Sequence, residues 1–320
     1  MDIVHPEVLL LSDKHDYATD HVAFALHGMN IPYVRLNRDE FSNHKLVLRP
    51  TQGTLHGELA DLEFEITTER LKSIYFRAPI YLRDIYQPDL TPDEQFSRIQ
   101  WSAFLRSLQV YDKVFWLNHP QATFLAEVKP FQLLVASRIG FKVPRTLITN
   151  SKSYIEAEFS QSKVPLALKT LDPMVLRMGD QEGFIYTNLM DVDSVHDADL
   201  ASGPILAQEA ILPKVDIRVT VIGNNIHAVS ITDAGSGIAN DWRVQKNSLK
   251  YTVVQLPTDI ENLCRQLLKE LNLTFGGVDL AVRDNEFYFL EVNPTGEWAW
   301  LLEPTQIPFD TEIANLLVHH

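Results

Sequence analysis

The segment GGVDLAVRDNEFYFLEVNP (276–294) constrains the chain more than any other. Two apolar runs flank Asp284-Asn285, a pair suited to a tight turn, which predicts two antiparallel strands side by side. Glu291 and Asn293 are two apart in one strand and therefore project to the same face. Asp279 lies in the other strand, where the hairpin brings it close to Glu291. Two carboxylates and one amide oxygen are hard donors that suit Mg²⁺ shared with the phosphates of a nucleotide, which fill the remaining coordination positions. The bland alternative is a hairpin whose polar residues face solvent. The apolar character of both strands argues against it, because a carboxylate pair among such residues needs a partner to offset desolvation.

The rest of the chain alternates strand and helix patterns, an α/β (α+β) arrangement. EVLLLS (7–12), IPYVRLN (31–37), KLVLRP, TLHGELADLEFEI, KSIYFR and VFWLN (114–118) read as strands, with helical periodicity in HDYATDHVAFALHGM and after Thr91-Pro92. These form a first domain, 1–118. In a second, 119–204, a helix is predicted from Lys129 to Ile139, with Gly140 as its C-cap and Pro144 blocking continuation. TLIT is a strand, SYIEAEFS a short helix and PLALKTL (165–171) a strand. Gly179 and Gly183 bracket a polar segment that reads as a mobile loop before a strand FIYTN. A third domain, 205–320, holds the strands ILAQEAI (205–211), DIRVTVIG (216–223) and NIHAVSIT (225–232), the helix DIENLCRQLLKELNL and the hairpin above. No internal repeat is evident.

Composition narrows the possibilities. The 320 residues are 45% hydrophobic, enough for a large core. Lys and Arg number 28 against 42 Asp and Glu, a formal charge of −14, which disfavours nucleic acid as a general partner. No apolar run approaches the roughly 20 residues of a membrane span, and MDIVHPEVLLLSDKHD lacks the basic-then-apolar order of a secretory signal. A cytoplasmic location without membrane contact is the expectation. The one cysteine, Cys264, excludes an internal disulfide and occupies an apolar helical position, which makes it a core thiol. His319 and His320 are given no role.

GGVDLAV and FYFLEVNPTGEW resemble the metal-binding end of ATP-grasp ligases. WLNHP, AEVKPFQLLVASRIGFKVPRTLITN, DIRVTVIG, DWR and EVNPTGEWAW are most similar to the enzymes that cyclise microviridins and related graspetides, which join carboxylates of a ribosomal peptide to its own hydroxyls or amines. The resemblance covers the last two-thirds of the chain well and the first third more loosely. It implies an ATP-grasp fold, with an N-terminal pre-ATP-grasp domain, a central lid domain and a C-terminal ligase domain. ATP and Mg²⁺ are the implied cofactors. A precursor peptide with leader and core is the implied partner, and a homodimer is a compatible assembly.

Carried over residue by residue, the resemblance places Lys129 and Lys169 over the nucleotide phosphates, where a compact point charge is suited. Read alone, Lys129 fits a solvated helix position, whereas Lys169, inside an apolar strand, asks for an explanation. Gln208, Glu209 and Ile211 match the hinge that holds adenine, and Lys214 follows near ribose or phosphate. Asp216 and Arg218 share one strand face. The resemblance assigns them and Arg243 to the catalytic group, an arginine there being able to hold an acyl phosphate bidentately. By itself Arg243 reads equally as a surface charge. Arg77, in YFRAP (75–79), is matched to the substrate side, with Arg83 beyond it. RMGDQEGF departs from the family's Gly-rich phosphate loop, since Asp180 and Glu182 do not cradle phosphate well. Two other functions stay open: an ATP-grasp ligase joining amino acids or other small molecules, and a nucleotide-binding module without turnover.

Overall fold

A computed structural model describes residues 3–59, 62–78, 90–172, 175–178, 181–184, 187–233, 236–238 and 249–320, with the backbone alone at 175–178 and 181–184. Arg83, Arg243, Gly179 and Asp180 lie outside the described residues. The chain divides into two compact units. The first is Met1–Thr123 with Glu297–Leu302 and Gln306–His320, and the second is Phe124–Gly296 with Glu303–Thr305. The expected divisions at 118 and 204 differ from this grouping for two reasons. The chain end returns to the first unit as a helix, Phe309–His319, packed on the helix Tyr17–Gly28. The strand Ile205–Glu209 pairs inside the sheet of the segment before it, so the sheet crosses the 204/205 boundary.

The first unit is built on four parallel strands in the order Tyr33–Asn37, Val8–Ser12, Ser73–Phe76, Phe115–Leu117. Val8 to Leu11 are fully buried, as expected for a central strand covered on both faces. A second sheet, antiparallel, contains His44–Arg49, Thr54–Leu59 and Leu62–Thr67; the expected single run TLHGELADLEFEI is two of these strands. Thr91 caps the helix Pro92–Ser107 through a capping box with Glu94.

In the second unit, four antiparallel strands run in the order Asn188–Met190, Leu166–Lys169, Ile205–Glu209, Thr146–Thr149. Ile155 and Phe159 of the helix Lys152–Phe159 pack against this sheet's Leu166 and Ala207. A five-stranded antiparallel sheet has the order Leu249–Val254, Asn225–Asp233, Val215–Ile222, Phe275–Arg283, Glu286–Asn293. The turn Asp284-Asn285 has φ of 52° and 62°, the positive pair that a two-residue hairpin of matching twist requires. The helix Thr258–Glu270 buries Ile260, Cys264, Leu267 and Leu268, one stripe at helical spacing, and burial pushes the Cys264 thiol up to about 12.

Within the segment expected to be a mobile loop, Val175–Met178 pairs with Gln181–Phe184, which places Gly183 opposite Leu176, and Asn188–Met190 is a further strand. The tip at 179–180 and residues 185–186 of FIYTN lie outside the described residues. The elements with no counterpart in the sequence pattern include the helices Pro120–Ala126 and Phe309–His319 and the strand Leu249–Val254.

One charge cluster organises the first unit's strand ends. Asp16 caps the helix Tyr17–Gly28, accepts from Ser12 Oγ at 2.7 Å and Thr19 Oγ1 at 2.9 Å, and meets Arg77 Nε at 2.9 Å. Burial works to raise the Asp16 pKa, but the Arg77 charge and the donors around the carboxylate outweigh it and hold the group at about 2. A folded-state value below the unfolded 3.8 contributes stability above pH 4, which is lost as pH falls toward 2. Asp16→Asn keeps the cap and removes the charge. It is expected to lower unfolding free energy by on the order of 2 kcal/mol at pH 7. Urea titrations at pH 7 and pH 3 should show the gap to wild type narrowing at pH 3. An equal gap at both would exclude the linkage.

Candidate functional site

The register of the five-stranded sheet lines up three positions: Arg218 opposite Asp279, and Asp279 opposite Glu291. Gly277 stands opposite Asn293 on the same pair of strands. Glu291 and Asn293 thus share a face with Asp279 at its centre, as the hairpin pattern predicts. The register shifts next to Asp279, where Leu280 faces Phe289, so Leu290 is the extra residue of a bulge. Bulges re-aim side chains, and this one directly precedes the Glu291–Asn293 pair.

Asp279 is 8% exposed and Arg218 6%. Arg218 Nε lies 2.8 Å from Asp279 Oδ1, an ion pair whose N–H direction falls short of a hydrogen bond. Asn293 Nδ2 donates to Asp279 Oδ2 at 3.4 Å. Asp216, 6% exposed, is ion-paired with Lys214. Gly277 is glycine for a spatial reason: a Cβ there would stand 2.5 Å from Arg218 Nη1, and one at Gly296 would stand 3.4 Å from the same atom. The sequence reading passed over both glycines. Their signal is the doubled Gly276-Gly277 inside an apolar strand, which marks a close approach.

The second sheet contributes Lys169 and the hinge. Lys169 Nζ donates to Gln208 Oε1 at 3.1 Å, and Gln208 Nε2 donates to Thr146 Oγ1 at 2.9 Å. The buried Gln208 side chain therefore orients Lys169. The Glu209 carboxylate is paired with Arg145 at 3.5 Å, and its N–H donates to the Arg145 carbonyl at 2.9 Å. What Glu209 and Ile211 can offer a flat base is backbone. Lys129, first residue of the helix Lys129–Ile139, donates through Nζ to the Thr170 carbonyl at 2.8 Å and so reaches the end of the strand that carries Lys169.

A cavity joins these groups. Its apolar wall is Ala167, Leu189, Ala210, Ile211, Leu212, Ile217, Leu280 and Leu290; its charged end is Lys169, Lys214, Asp216, Asp279 and Glu291. An apolar slot opening on mixed charge matches a flat heterocycle attached to a polyphosphate. Among the described residues no group of three His, Cys, Asp or Glu side chains lies close enough to cage a metal. The donor set is instead two carboxylates and an amide, all hard oxygens once the Asn293 amide presents Oδ1. That set holds Mg²⁺ only with further oxygens, which phosphates supply. Arg77 lies in the other unit, its side chain 7% exposed and paired with Asp16 and, at 3.0 Å, with Glu297.

Known proteins resemble the chain along most of its length. The family model of the RimK-like ATP-grasp domain matches residues 126–317. A probable alpha-L-glutamate ligase of Haemophilus ducreyi is 26% identical over 245 residues, 71% of this chain and 76% of that protein. Among solved structures, the macrocyclase MdnC of Microcystis aeruginosa, bound with the precursor peptide MdnA, is 25% identical with a TM-score of 0.83, over 97% of this chain and 99% of that one. A RiPP-associated ATP-grasp ligase of Chryseobacterium gregarium, in complex with ADP and a leader and core peptide, is 24% identical with a TM-score of 0.82, over 98% and 96%. The ATP-grasp ligase PsnB, complexed with a phosphomimetic variant of its minimal precursor, Mg and ADP, is 16% identical with a TM-score of 0.77, over 98% of each chain.

The Gly277 contact generates a prediction. Gly277→Ala meets the mobile end of Arg218, so the fold should survive with a small change in thermal midpoint. The guanidinium must move, and turnover measured as ADP release should fall on the order of 10²-fold. Wild-type turnover in this variant would show that the Arg218 position does not matter.

Proposed function

The chain belongs to the RimK-like ATP-grasp family, and from that premise we propose that this ATP-dependent ligase forms side-chain ester or amide links within a ribosomal precursor peptide. The observation that carries the peptide reading is the likeness to the macrocyclase MdnC over 97% of the chain. The family model matches residues 126–317, the stretch that holds every residue assigned here to nucleotide and cation. The likeness to MdnC extends through the preceding residues as well.

The residues divide the work as follows. Lys129 and Lys169 neutralise phosphate oxygens, and Gln208 fixes the direction of the Lys169 ammonium. Glu209 and Ile211 hold adenine through their backbone in the apolar slot, and Lys214 approaches the ribose or phosphates. Asp279, Glu291 and Asn293 would hold Mg²⁺, which would supply positive charge against that of the phosphates. A substrate carboxylate oxygen attacks the γ-phosphorus, the bond to the β-phosphate oxygen breaks, and ADP leaves. Arg218, fixed by Asp279, and Arg243 hold the resulting acyl phosphate, while Asp216 keeps Lys214 in place. A hydroxyl or amine of the same peptide then attacks the acyl carbon, gives up its proton and expels phosphate. No protein nucleophile enters, so rate enhancement comes from positioning and charge.

The relative in Haemophilus ducreyi favours a second function, the addition of an amino acid to an acceptor. Mass spectrometry of a candidate precursor peptide after incubation with ATP and Mg²⁺ separates the two. The macrocyclase removes one water and forms one ADP per link, and fragmentation skips the bonds inside each ring. A gain of an amino-acid mass would establish the second function instead.

Nucleotide binding gives an independent prediction. ATP with Mg²⁺ should raise the thermal midpoint, because it binds the folded state alone. Lys169→Ala should blunt that rise. A full rise in the variant would place Lys169 away from the phosphates.

A further inference from the structure

Gln132 is a polar residue on a buried helix stripe. It lies on the helix Lys129–Ile139, shares that stripe with Val135 and Ala136, and is 3% exposed. Its side chain does not point into the cavity described above. It meets the backbone of the outermost strand of the five-stranded sheet at a single residue, Val292. Gln132 Nε2 donates to the Val292 carbonyl at 2.8 Å, and the Val292 N–H donates to Gln132 Oε1 at 3.0 Å. The second hydrogen of Nε2 goes to the Ala126 carbonyl. All three bonds demand the same amide orientation, since two carbonyls need donors and one N–H needs an acceptor.

In an extended strand the N–H and C=O of one residue point to the same side. At Val292 they point away from the sheet, toward what would be the next strand. Gln132 takes the place of that strand with one side chain. Val292 stands between Glu291 and Asn293. Three residues earlier, the Phe289 N–H donates to the Lys142 carbonyl at 2.8 Å. The bulge at Leu290 lies between these two anchors. An unpaired bulge residue loosens the local ladder, and the direction of the residues after it is set by whatever pairs with them next. Here residues 291–293 pair with 277–279 of the neighbouring strand on one side, and Val292 pairs with Gln132 on the other.

We propose that Gln132 is a positioning residue for the cation: by pairing with Val292 it fixes the strand direction from which Glu291 and Asn293 project. The proposal rests on the assignment of Glu291 and Asn293 as cation ligands. Glutamine meets the need where its neighbours in chemistry do not. Asparagine is one methylene too short to span the same gap, and an ionised glutamate would set a negative charge against the Val292 and Ala126 carbonyls. Removing the amide leaves a buried N–H and C=O without partners, and the strand end can relieve them only by moving. Groups that orient metal ligands from behind typically change metal affinity about 10- to 100-fold when removed.

The test uses the full chain with ADP and Mn²⁺ as probe, free Mn²⁺ being read by electron paramagnetic resonance, alongside the Mg²⁺ dependence of ADP release. Gln132→Met keeps the volume and loses all three bonds. The expected result is an affinity for Mn²⁺ about tenfold weaker, with a matching rise in the Mg²⁺ needed for half-maximal turnover and recovery of much of kcat at saturating Mg²⁺. Gln132→Glu provides the rescue and covers the case in which the Met variant does not fold. A buried carboxyl has its pKa raised, and when protonated it is both donor and acceptor. Its Mn²⁺ affinity relative to wild type should therefore climb as pH falls from 8 to about 6. Glu291→Gln is the control. If it loses Mn²⁺ affinity while the folded Gln132 variants do not, Gln132 is structural only and the proposal is overturned. If Glu291→Gln itself binds Mn²⁺ like wild type, Glu291 is not a ligand, and the assignment beneath the proposal fails with it.

Discussion

The buried pair of Arg218 and Asp279 is the constraint on which the second unit's chemistry depends. Both side chains are largely removed from water, and together they hold the centre of a row that runs Arg218, Asp279, Glu291 across three antiparallel strands. A buried ion pair is a poor source of stability, since desolvation offsets most of its attraction. Its value lies in position. Arg218 can occupy its place only because Gly277 has no side chain there, and Gly277 is itself opposite Asn293. One glycine thus relates the arginine to the amide. A slip of one residue in either strand would turn the whole row to the other face. The hairpin closed by Asp284-Asn285 prevents that slip locally.

The parts of the fold assigned to the nucleotide were legible where their signals are local. The helix Lys129–Ile139 begins and ends as read, because Gly140 takes a φ of 106° that a glycine tolerates and Pro144 follows closely. The turn at Asp284-Asn285 and the period of two at Glu291 and Asn293 are equally local. In RMGDQEGF two glycines and acidic residues suggest a loop by composition, and the strand pairing of 177–178 with 181–182 is carried by no such signal. The strand Leu249–Val254 was missed because it is an edge strand with Lys250, Thr252 and Val253 exposed, and so carries little apolar pattern.

Gln132 and Gly277 were illegible for a different reason. Their meaning lies in partners 160 and 59 positions away along the chain: Val292 for the first and Arg218 for the second. A glutamine in KPFQLLV reads as a polar interruption of a helix face until the strand it touches is known. Gln208 belongs with them. The resemblance assigns it to the adenine hinge, and its amide also links Lys169 to Thr146 across three neighbouring strands. The return of Phe309–His319 to the first unit is likewise a tertiary fact. Its buried residues Phe309, Ile313, Leu317 and Val318 show that the helix is needed there, but not which surface it covers.

The helix Lys129–Ile139 ties these observations together. Lys129 and Gln132 are three residues apart, so their Cα atoms are separated by about 4.5 Å along the axis and lie on neighbouring parts of one surface. From that surface Lys129 reaches Thr170, at the end of the strand of one sheet, and Gln132 reaches Val292, near the end of an edge strand of the other. The first contact sits beside the lysine assigned to phosphate and the second between two groups assigned to the cation. Phosphate and cation must be presented at a fixed separation for charge to be stabilised without reorganisation. Two separate sheets cannot guarantee that separation by their own hydrogen bonding, because no ladder connects them among the described residues. A single rigid helix bonded to both can, and its buried glutamine is the part of that device least replaceable by packing alone.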